Sequence, residues 1–137
     1  MYCIIATQCF CNLEVYVIKE NLLIDKSVLF AVRIIRLYQY LTRNKKESII
    51  SKQIIRSGTS VGANINEANY AQSVRDFISK MHIALKETAE TEYWLRLLIM
   101  SEYLTENMGQ SILTDCLEIK RILIATINTA KKNENRQ

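Results

Sequence analysis

The segment from Ile54 to Leu98 limits most strongly how this chain can fold. It joins a Gly-x-x-x-Gly pair, Gly58 and Gly62, to a polar turn and then to a long apolar-periodic stretch, and it contains no proline. Proline ends or kinks helices, so a proline-free segment with apolar residues every three or four positions predicts two long helices joined by a short turn. This arrangement is typical of the middle of a helical bundle.

Composition extends this prediction to the whole chain. The 137 residues suffice for one domain, and the absence of proline, three glycines and 49% hydrophobic content predict few turns and an all-α fold. We expect a poorly ordered extension at 1–20, a four-helix bundle at 21–131 and a frayed polar tail at 132–137. The apolar start has no basic n-region and carries interrupting polar residues, so it fits neither a signal peptide nor a membrane span.

Four helical segments follow from the apolar spacing. Asp25 is a candidate cap for the first helix, and the second helix covers about 49–69. A Ser73–Asp76 capping box opens the third helix, which runs to about Leu104. The fourth helix follows a turn at 105–110. The predicted core positions are Phe30, Ile34, Leu37 and Leu41 in the first helix; Ile50, Ile54, Gly58, Val61, Ile65 and Ala68 in the second; Phe77, Met81, Ala84, Leu85, Thr88, Glu92, Leu95 and Ile99 in the third; and Ile112, Cys116, Ile119, Leu123 and Ile127 in the fourth.

Two features of the second helix concern its neighbours. Gly58 and Gly62 each cost a helix ~1 kcal/mol relative to alanine, which predicts a close crossing with another helix backbone. A polar strip flanks the core line beside them, and it consists of Arg56, Ser60, Asn64 and Glu67.

Glu92 interrupts the apolar line of the third helix and needs a cation, which Arg56 or the first-helix arginines can supply. We therefore predict one structural network of Arg56, Ser60, Asn64, Glu67 and Glu92. The alternative is that the strip binds a ligand or nucleic acid. The structural interpretation is favoured because buried polar groups nearly always find protein partners.

Two helices carry more apolar surface than one core needs. The first has a second apolar face that includes Val28, Val32 and Ile35, and the third is apolar on every side around Trp94 and Leu97. We assign Trp94 and Leu97 to a subunit interface, where aromatic anchors commonly dominate. A monomeric bundle with a central first helix is the alternative. A membrane-surface role is disfavoured because the surrounding helix is acidic.

Charge is distributed unevenly around a net value of +4. Residues 25–56 are mainly basic and residues 57–109 mainly acidic, which serves either a polyanion-binding face or the pairing of a basic helix with an acidic one. The pairing interpretation is favoured. Under the other interpretation, the candidate nucleic-acid contacts are Arg43, Lys45, Lys46 and Lys52.

The chain offers little for catalysis or metal binding. Its four cysteines lack zinc-ligand spacing, and its single histidine, His82, has no catalytic motif around it. We expect reduced thiols in a cytoplasmic protein, no metal, no cofactor and no enzymatic activity.

A specific residue pattern accompanies these features. It comprises Lys26-Ser27, Phe30-Ala31, Arg33-Ile34, Arg56-Ser57, the run from Ser60 to Ile65, Glu67, Asp76-Phe77, Ala84-Leu85, Glu90 and the run from Glu92 to Leu95. From about Asn21 to Ile127 the chain resembles the four-helix-bundle proteins encoded by intervening sequences in bacterial 23S ribosomal RNA genes. Because relatives begin near Val17, translation is expected to start at an alternative codon there.

The resemblance implies an antiparallel up-and-down bundle with long helices, assembled as a ring, often a pentamer, with no known enzymatic activity. A related branch comprises the accessory variability proteins of diversity-generating retroelements, which work with a reverse transcriptase and nucleic acid. We therefore expect a non-enzymatic homo-oligomer that acts as an accessory factor with RNA or DNA. The alternative is a scaffold that binds only protein.

Overall fold

The protein consists of four α-helices. A computed structural model describes the backbone of residues 3–135 and the side chains of residues 22–135. The helices are α1 (Cys3–Asn44), α2 (Ile50–Ala68), α3 (Val74–Met100) and α4 (Glu106–Glu134). No strand occurs between residues 3 and 135. The prediction of an all-α fold is confirmed.

The helices pack in chain order and alternate in direction. Each helix contacts the next, and α4 returns to contact α1, although more lightly. Ion pairs between Arg56 and Glu90 and between Glu67 and Lys80 join α2 to α3 in antiparallel register. The result is an up-and-down four-helix bundle, as expected. The α1–α2 and α3–α4 turns share one end of the bundle, and the α2–α3 turn lies at the other.

Three of the four predicted core stripes match the buried residues closely. The predicted positions of α1 and α4 are all buried, and in α2 only Ile50 lies at the edge. The stripe of α3 was predicted with the wrong centre, since Ile78, Thr91 and Leu98 are buried while Glu92 is half-buried. The error arose because α3 is apolar on several sides, so its sequence pattern does not identify a single inward face.

Helix ends differ from the predictions at three places. Asp25 is not a cap, because α1 is continuous through it. The third helix ends at Met100 rather than near Leu104, since Glu102 adopts a left-handed conformation with φ 62°. The fourth begins at Glu106, where the Thr105 side chain accepts a hydrogen bond from the Met108 amide at 3.4 Å, and not after Gln110.

The capping box at the start of α3 is present in altered form. The Ser73 hydroxyl accepts a hydrogen bond from the Asp76 amide at 3.1 Å, as predicted. The Asp76 carboxylate accepts from the Gln72 amide at 3.2 Å instead of from Ser73. Both bonds satisfy amides that have no partner within the helix, so α3 begins at a defined residue.

The two turns at the shared end are built alike. Lys46 has φ 55°, and the Glu47 amide donates to the Leu41 carbonyl at 3.0 Å. In the α3–α4 turn, the Leu104 amide donates to the Leu98 carbonyl at 3.2 Å. Each turn therefore closes with a main-chain bond across six residues and includes a non-glycine residue in the left-handed region, which is uncommon.

Both predicted ends of the chain fall partly outside this description. The poorly ordered extension expected at 1–20 stays a prediction: the backbone of α1 begins at Cys3, and the side chains of residues 1–21 lie outside the described residues. Helix α4 continues to Glu134, into the predicted tail, and residues 136–137 lie outside the described residues. No helix within residues 3–135 is both long enough and apolar enough to span a bilayer.

Candidate interaction surfaces

The predicted polar network of α2 and α3 consists of separate contacts. The Arg56 guanidinium donates to Glu90 at 2.5 Å, and the Trp94 indole donates to the same carboxylate oxygen at 3.2 Å. Further along the contact, Glu67 pairs with Lys80 at 2.5 Å. These contacts join residues that are all at least partly exposed to solvent.

The other two members of the predicted network bond within α2. The Asn64 side-chain amide donates to the Ser60 carbonyl at 2.8 Å, one turn earlier in the helix. This bond holds the Asn64 side chain along its own helix and does not reach α3. The predicted strip is therefore a row of local contacts.

The predicted pairing of Arg56 with Glu92 is wrong. Glu92 instead accepts from Lys120 of α4 at 2.7 Å and from Arg96 at 2.9 Å. Glu92 follows Glu90 by two positions, which places its side chain about 200° further around α3. Glu90 therefore faces α2, whereas Glu92 faces α4.

Glu92 is held in its charged form at this contact. The hydrogen bond from Lys120 lowers the pKa of Glu92 most, burial acts in the opposite direction, and Arg96 adds to the lowering. Its side chain is 15% exposed, so it is desolvated but paired with two cations. The arrangement is structural, because both oxygens are already occupied by protein donors.

Two buried polar contacts were missed by the sequence analysis. The Thr91 hydroxyl donates to the Ser57 hydroxyl at 2.9 Å between α2 and α3, and both residues are fully buried. The Cys116 thiol lies at 3.5 Å from the Thr88 carbonyl. Burial raises the pKa of Cys116 to about 12, so this thiol is protonated and unreactive. The sequence signal that could have revealed these contacts is the presence of small polar residues at core positions.

The glycines of α2 face α1 where these two helices pack together. A Cβ at Gly58 would lie 2.8 Å from Ile34 Cγ1 and 2.9 Å from Ile34 Cγ2. A Cβ at Gly62 would meet Ser27 less tightly, at 3.2 Å from its Oγ. Gly109 of α4, which the sequence analysis did not select, is buried against Ile99 in the same way.

The four candidate nucleic-acid contacts, Arg43, Lys45, Lys46 and Lys52, are all exposed at or beside the α1–α2 turn. Glu47 lies between them, but it is 8% exposed and points inward. Its carboxylate accepts from the amides of Ile49, Ile50 and Ser51, each at 2.8 Å. It thus caps α2 through the helix N-terminus.

Glu47 remains charged at neutral pH despite its burial. Burial raises its pKa, but the backbone hydrogen bonds from Ile50, Ser51 and Ile49 outweigh that effect, so the pKa lies below its ordinary value. The negative charge is compensated by the amides of α2 and not by the surrounding lysines. The turn therefore presents its cations to solvent.

Two apolar surfaces remain uncovered in the single chain. Trp94 and Leu97, the predicted interface residues, are half-buried, while neighbouring Tyr93 and Met100 are exposed. Trp94 packs edge-to-face against Tyr93, with ring centroids 4.9 Å apart. The second surface is the outer face of α1, which carries Leu22, Val28, Leu29, Val32 and Ile35.

The side chains of residues 22–135 form no group of three or more histidine, cysteine, aspartate and glutamate residues that could hold a metal ion. A small open cleft lies between α1 and α4, beside Phe30 and Ile119. Ion pairs cross the same α1–α4 contact, Lys26 with Glu118 at 3.0 Å and Arg33 with Asp115. These pairs connect the helices and leave the carboxylates bonded to protein.

The fold and these surfaces define an all-α, up-and-down four-helix bundle. Residues 19–125 match the 23S rRNA-intervening sequence protein family. The chain belongs to that family, as its residue pattern predicted. No curated protein matches it.

A solved structure from Bacteroides thetaiotaomicron is similar to this chain over most of its length. It is described as a protein of unknown function from the S23 ribosomal protein family. The two are 56% identical, with a TM-score of 0.79, and the match covers 80% of this chain and 98% of the other. The relative therefore supports the fold and the family and leaves the activity open.

Proposed function

We propose that this protein is a non-enzymatic, homo-oligomeric accessory factor that associates with RNA or DNA. The α1–α2 turn contacts the phosphate backbone, and the apolar surface around Trp94 and Leu97 contacts another subunit. The absence of catalytic motifs from the sequence supports a binding role. The related branch of retroelement accessory proteins supports a reverse transcriptase as a protein partner. The expectation of reduced cysteines supports the cytoplasm as the location.

The observation that carries the nucleic-acid proposal is the placement of Glu47. This acidic residue sits among four exposed cations, yet its carboxylate is bonded to three amides of α2. The cations of the turn are consequently available to phosphates, which bind such clusters through charge.

An RNA titration at two salt concentrations tests this proposal. Neutralising four phosphates of a single strand gives a slope of about −0.7 per contact, so affinity for a single-stranded RNA oligonucleotide should fall roughly 50-fold between 50 and 200 mM salt. Replacing Arg43, Lys45 and Lys46 together by glutamine should remove most of the binding and most of this salt dependence.

A matched control removes the same charge elsewhere. Lys86, Arg121 and Lys131 are also exposed, and no ion pair involves them within residues 22–135. Their triple glutamine variant should retain the salt slope of the unmodified protein. Equal losses in both variants would mean that binding follows net charge only, and the turn would not be the contact site.

The second candidate function is a scaffold that binds only protein. The exposed apolar surfaces of α1 and α3 favour it, because patches of this kind mark protein contacts. Under this alternative the assembly persists at high salt and RNA binding is absent at 50 mM salt. The same titration therefore separates the two functions.

A further inference from the structure

Two uncovered apolar faces lie on helices that are diagonal in the bundle. The α1 face consists of Leu22, Val28, Leu29, Val32 and Ile35, and the α3 face consists of Ile83, Tyr93, Trp94, Leu97 and Met100. Helices α1 and α3 each pack against α2 and α4, so they occupy opposite corners of the bundle. The two faces therefore point away from each other, and a single two-fold contact cannot cover both.

The two faces differ in chemistry in a complementary way. The α1 face is aliphatic and carries the exposed cation Arg36 beside Ile35, whereas the α3 face carries two aromatic rings and has Glu87 and Glu90 along its border. No ion pair within residues 22–135 involves Arg36 or Glu87. Guanidinium groups pack well on aromatic rings and pair with carboxylates. Contact between unlike faces is therefore favoured over contact of either face with its own copy.

We propose that the α1 face of one chain receives the α3 face of the next chain in a head-to-tail contact. This inference rests on the proposed self-association and names the surface that receives Trp94 and Leu97. Each chain then uses both of its faces, one toward each neighbour. A head-to-tail contact closes into a ring of any number of chains, odd numbers included.

The areas of the two faces match. The five aliphatic side chains of the α1 face are between 40 and 67% exposed, and Tyr93 and Met100 of the α3 face are 59 and 84% exposed. Each face presents roughly 400 Å² of apolar surface, which is in the range of the largest patches on monomers. A specific interface buries about 800 Å² per partner, and the aliphatic stems of flanking charged residues such as Arg36 supply the remainder.

The position of Trp94 favours a ring over a straight filament. Its indole donates to the Glu90 carboxylate, which also pairs with Arg56 of α2. The α3 face is thus displaced toward α2 from the direction directly opposite the α1 face. Successive contacts turn each chain in the same sense relative to the one before, and a series of such rotations closes on itself.

Variants that block one face at a time test the contact, with native mass spectrometry as the readout. Val28→Glu/Leu29→Glu blocks the α1 face and Trp94→Glu blocks the α3 face. Each places glutamate in the contact without a cation, and should weaken it by roughly 100-fold or more and give the mass of one chain. An equal mixture of the two variants still holds one intact face of each kind. It should give a dimer with one chain of each variant and nothing larger.

Two controls separate a blocked contact from a general effect. Leu117→Glu/Ile124→Glu adds the same charges at exposed aliphatic positions of α4 and should keep the native mass. Tyr93→Glu, at a more exposed position than Trp94, should behave as Trp94→Glu does. Circular dichroism on every variant ensures that a lost assembly is not a lost fold.

Each alternative result overturns a defined part of the inference. A homodimer of either single-face variant would show that the remaining face pairs with itself. Native mass in the Val28→Glu/Leu29→Glu variant, lost assembly in the α4 control, or a mixture without the mixed dimer would refute the α1–α3 contact. If the unmodified protein is an oligomer in those cases, the proposed self-association stands without this contact. A monomeric unmodified protein would refute both.

Discussion

Gly58→Ala tests whether the α1–α2 crossing depends on a missing side chain. The added Cβ would lie 2.8 and 2.9 Å from two carbons of Ile34, whereas carbon atoms pack best at about 3.5–4.0 Å. Ile34 is fully buried. It is also β-branched in a helix, so χ1 rotation cannot move it away. The backbones of α1 and α2 must separate instead.

The size of the stability change in Gly58→Ala follows from two opposing effects. Alanine improves the intrinsic stability of the helix by ~1 kcal/mol relative to glycine. Overpacking a tight core costs ~1–3 kcal/mol, and two simultaneous overlaps place this site toward the upper end. We expect Gly58→Ala to lower the free energy of unfolding by about 1–2 kcal/mol. Gly62→Ala meets only Ser27, at 3.2 Å or more, so it should be neutral or slightly stabilising.

Denaturant unfolding at fixed protein concentration measures both variants, and Ile34 provides a rescue. Ile34→Ala removes both clashing carbons, so Gly58→Ala should stabilise the protein by about 1 kcal/mol in that background. Ile34→Val keeps both carbons and should give no rescue. The reasoning would be refuted if the Gly58→Ala variant were as stable as the unmodified protein. It would also be refuted if alanine had the same effect at Gly58 and at Gly62.

Four further predictions concern other parts of the chain. Glu47→Gln should lower the free energy of unfolding by about 1–2 kcal/mol at pH 7. The pKa of Glu47 is lowered in the folded state, so the difference in stability between this variant and the unmodified protein should shrink as pH falls below about 4.5, which acid unfolding curves measure. Glu102→Gly should raise the free energy of unfolding by about 0.5–1 kcal/mol in denaturant unfolding, since glycine adopts φ 62° without strain; no gain would show that the turn tolerates glutamate fully. Trp94→Glu should give smaller species in sedimentation, and a compact monomer before mutation would contradict the interface. Deleting residues 1–16 should preserve folding and assembly and lower the helix content only by the part of α1 that is removed, whereas lost folding would make that segment part of the core.

The sequence predicted those parts of the fold that depend on one strong periodicity. The stripe of α1 from Phe30 to Leu41 is clear because its apolar residues recur at helical spacing and end at a polar turn. Residue identity likewise indicated the glycine crossing, because nothing but close packing offsets two glycines in a helix.

Pairings across helices could not be predicted in the same way. Glu90 and Glu92 differ by about 200° around α3, so their partners depend on the rotation of α3, which its many apolar residues leave ambiguous. The hydroxyl pair of Ser57 and Thr91 was missed for a related reason, since small polar residues do not contribute to a hydrophobic pattern. A few side-chain contacts decide which residues pair across the helices, and these contacts are seen only once the helices are packed against one another.

The opposite directions of Glu90 and Glu92 also bear on how the bundle can move. Arg56 holds one carboxylate toward α2 while Lys120 holds the other toward α4, so turning α3 by a single residue would break both pairs. A partly exposed ion pair contributes little stability alone, but the two pairs together exclude alternative rotations of α3. Among the residues that the structure describes, the α1–α4 contact is the lightest between neighbouring helices, so opening fluctuations should begin there. Helix α1 would then stay attached to the bundle through its larger contact with α2.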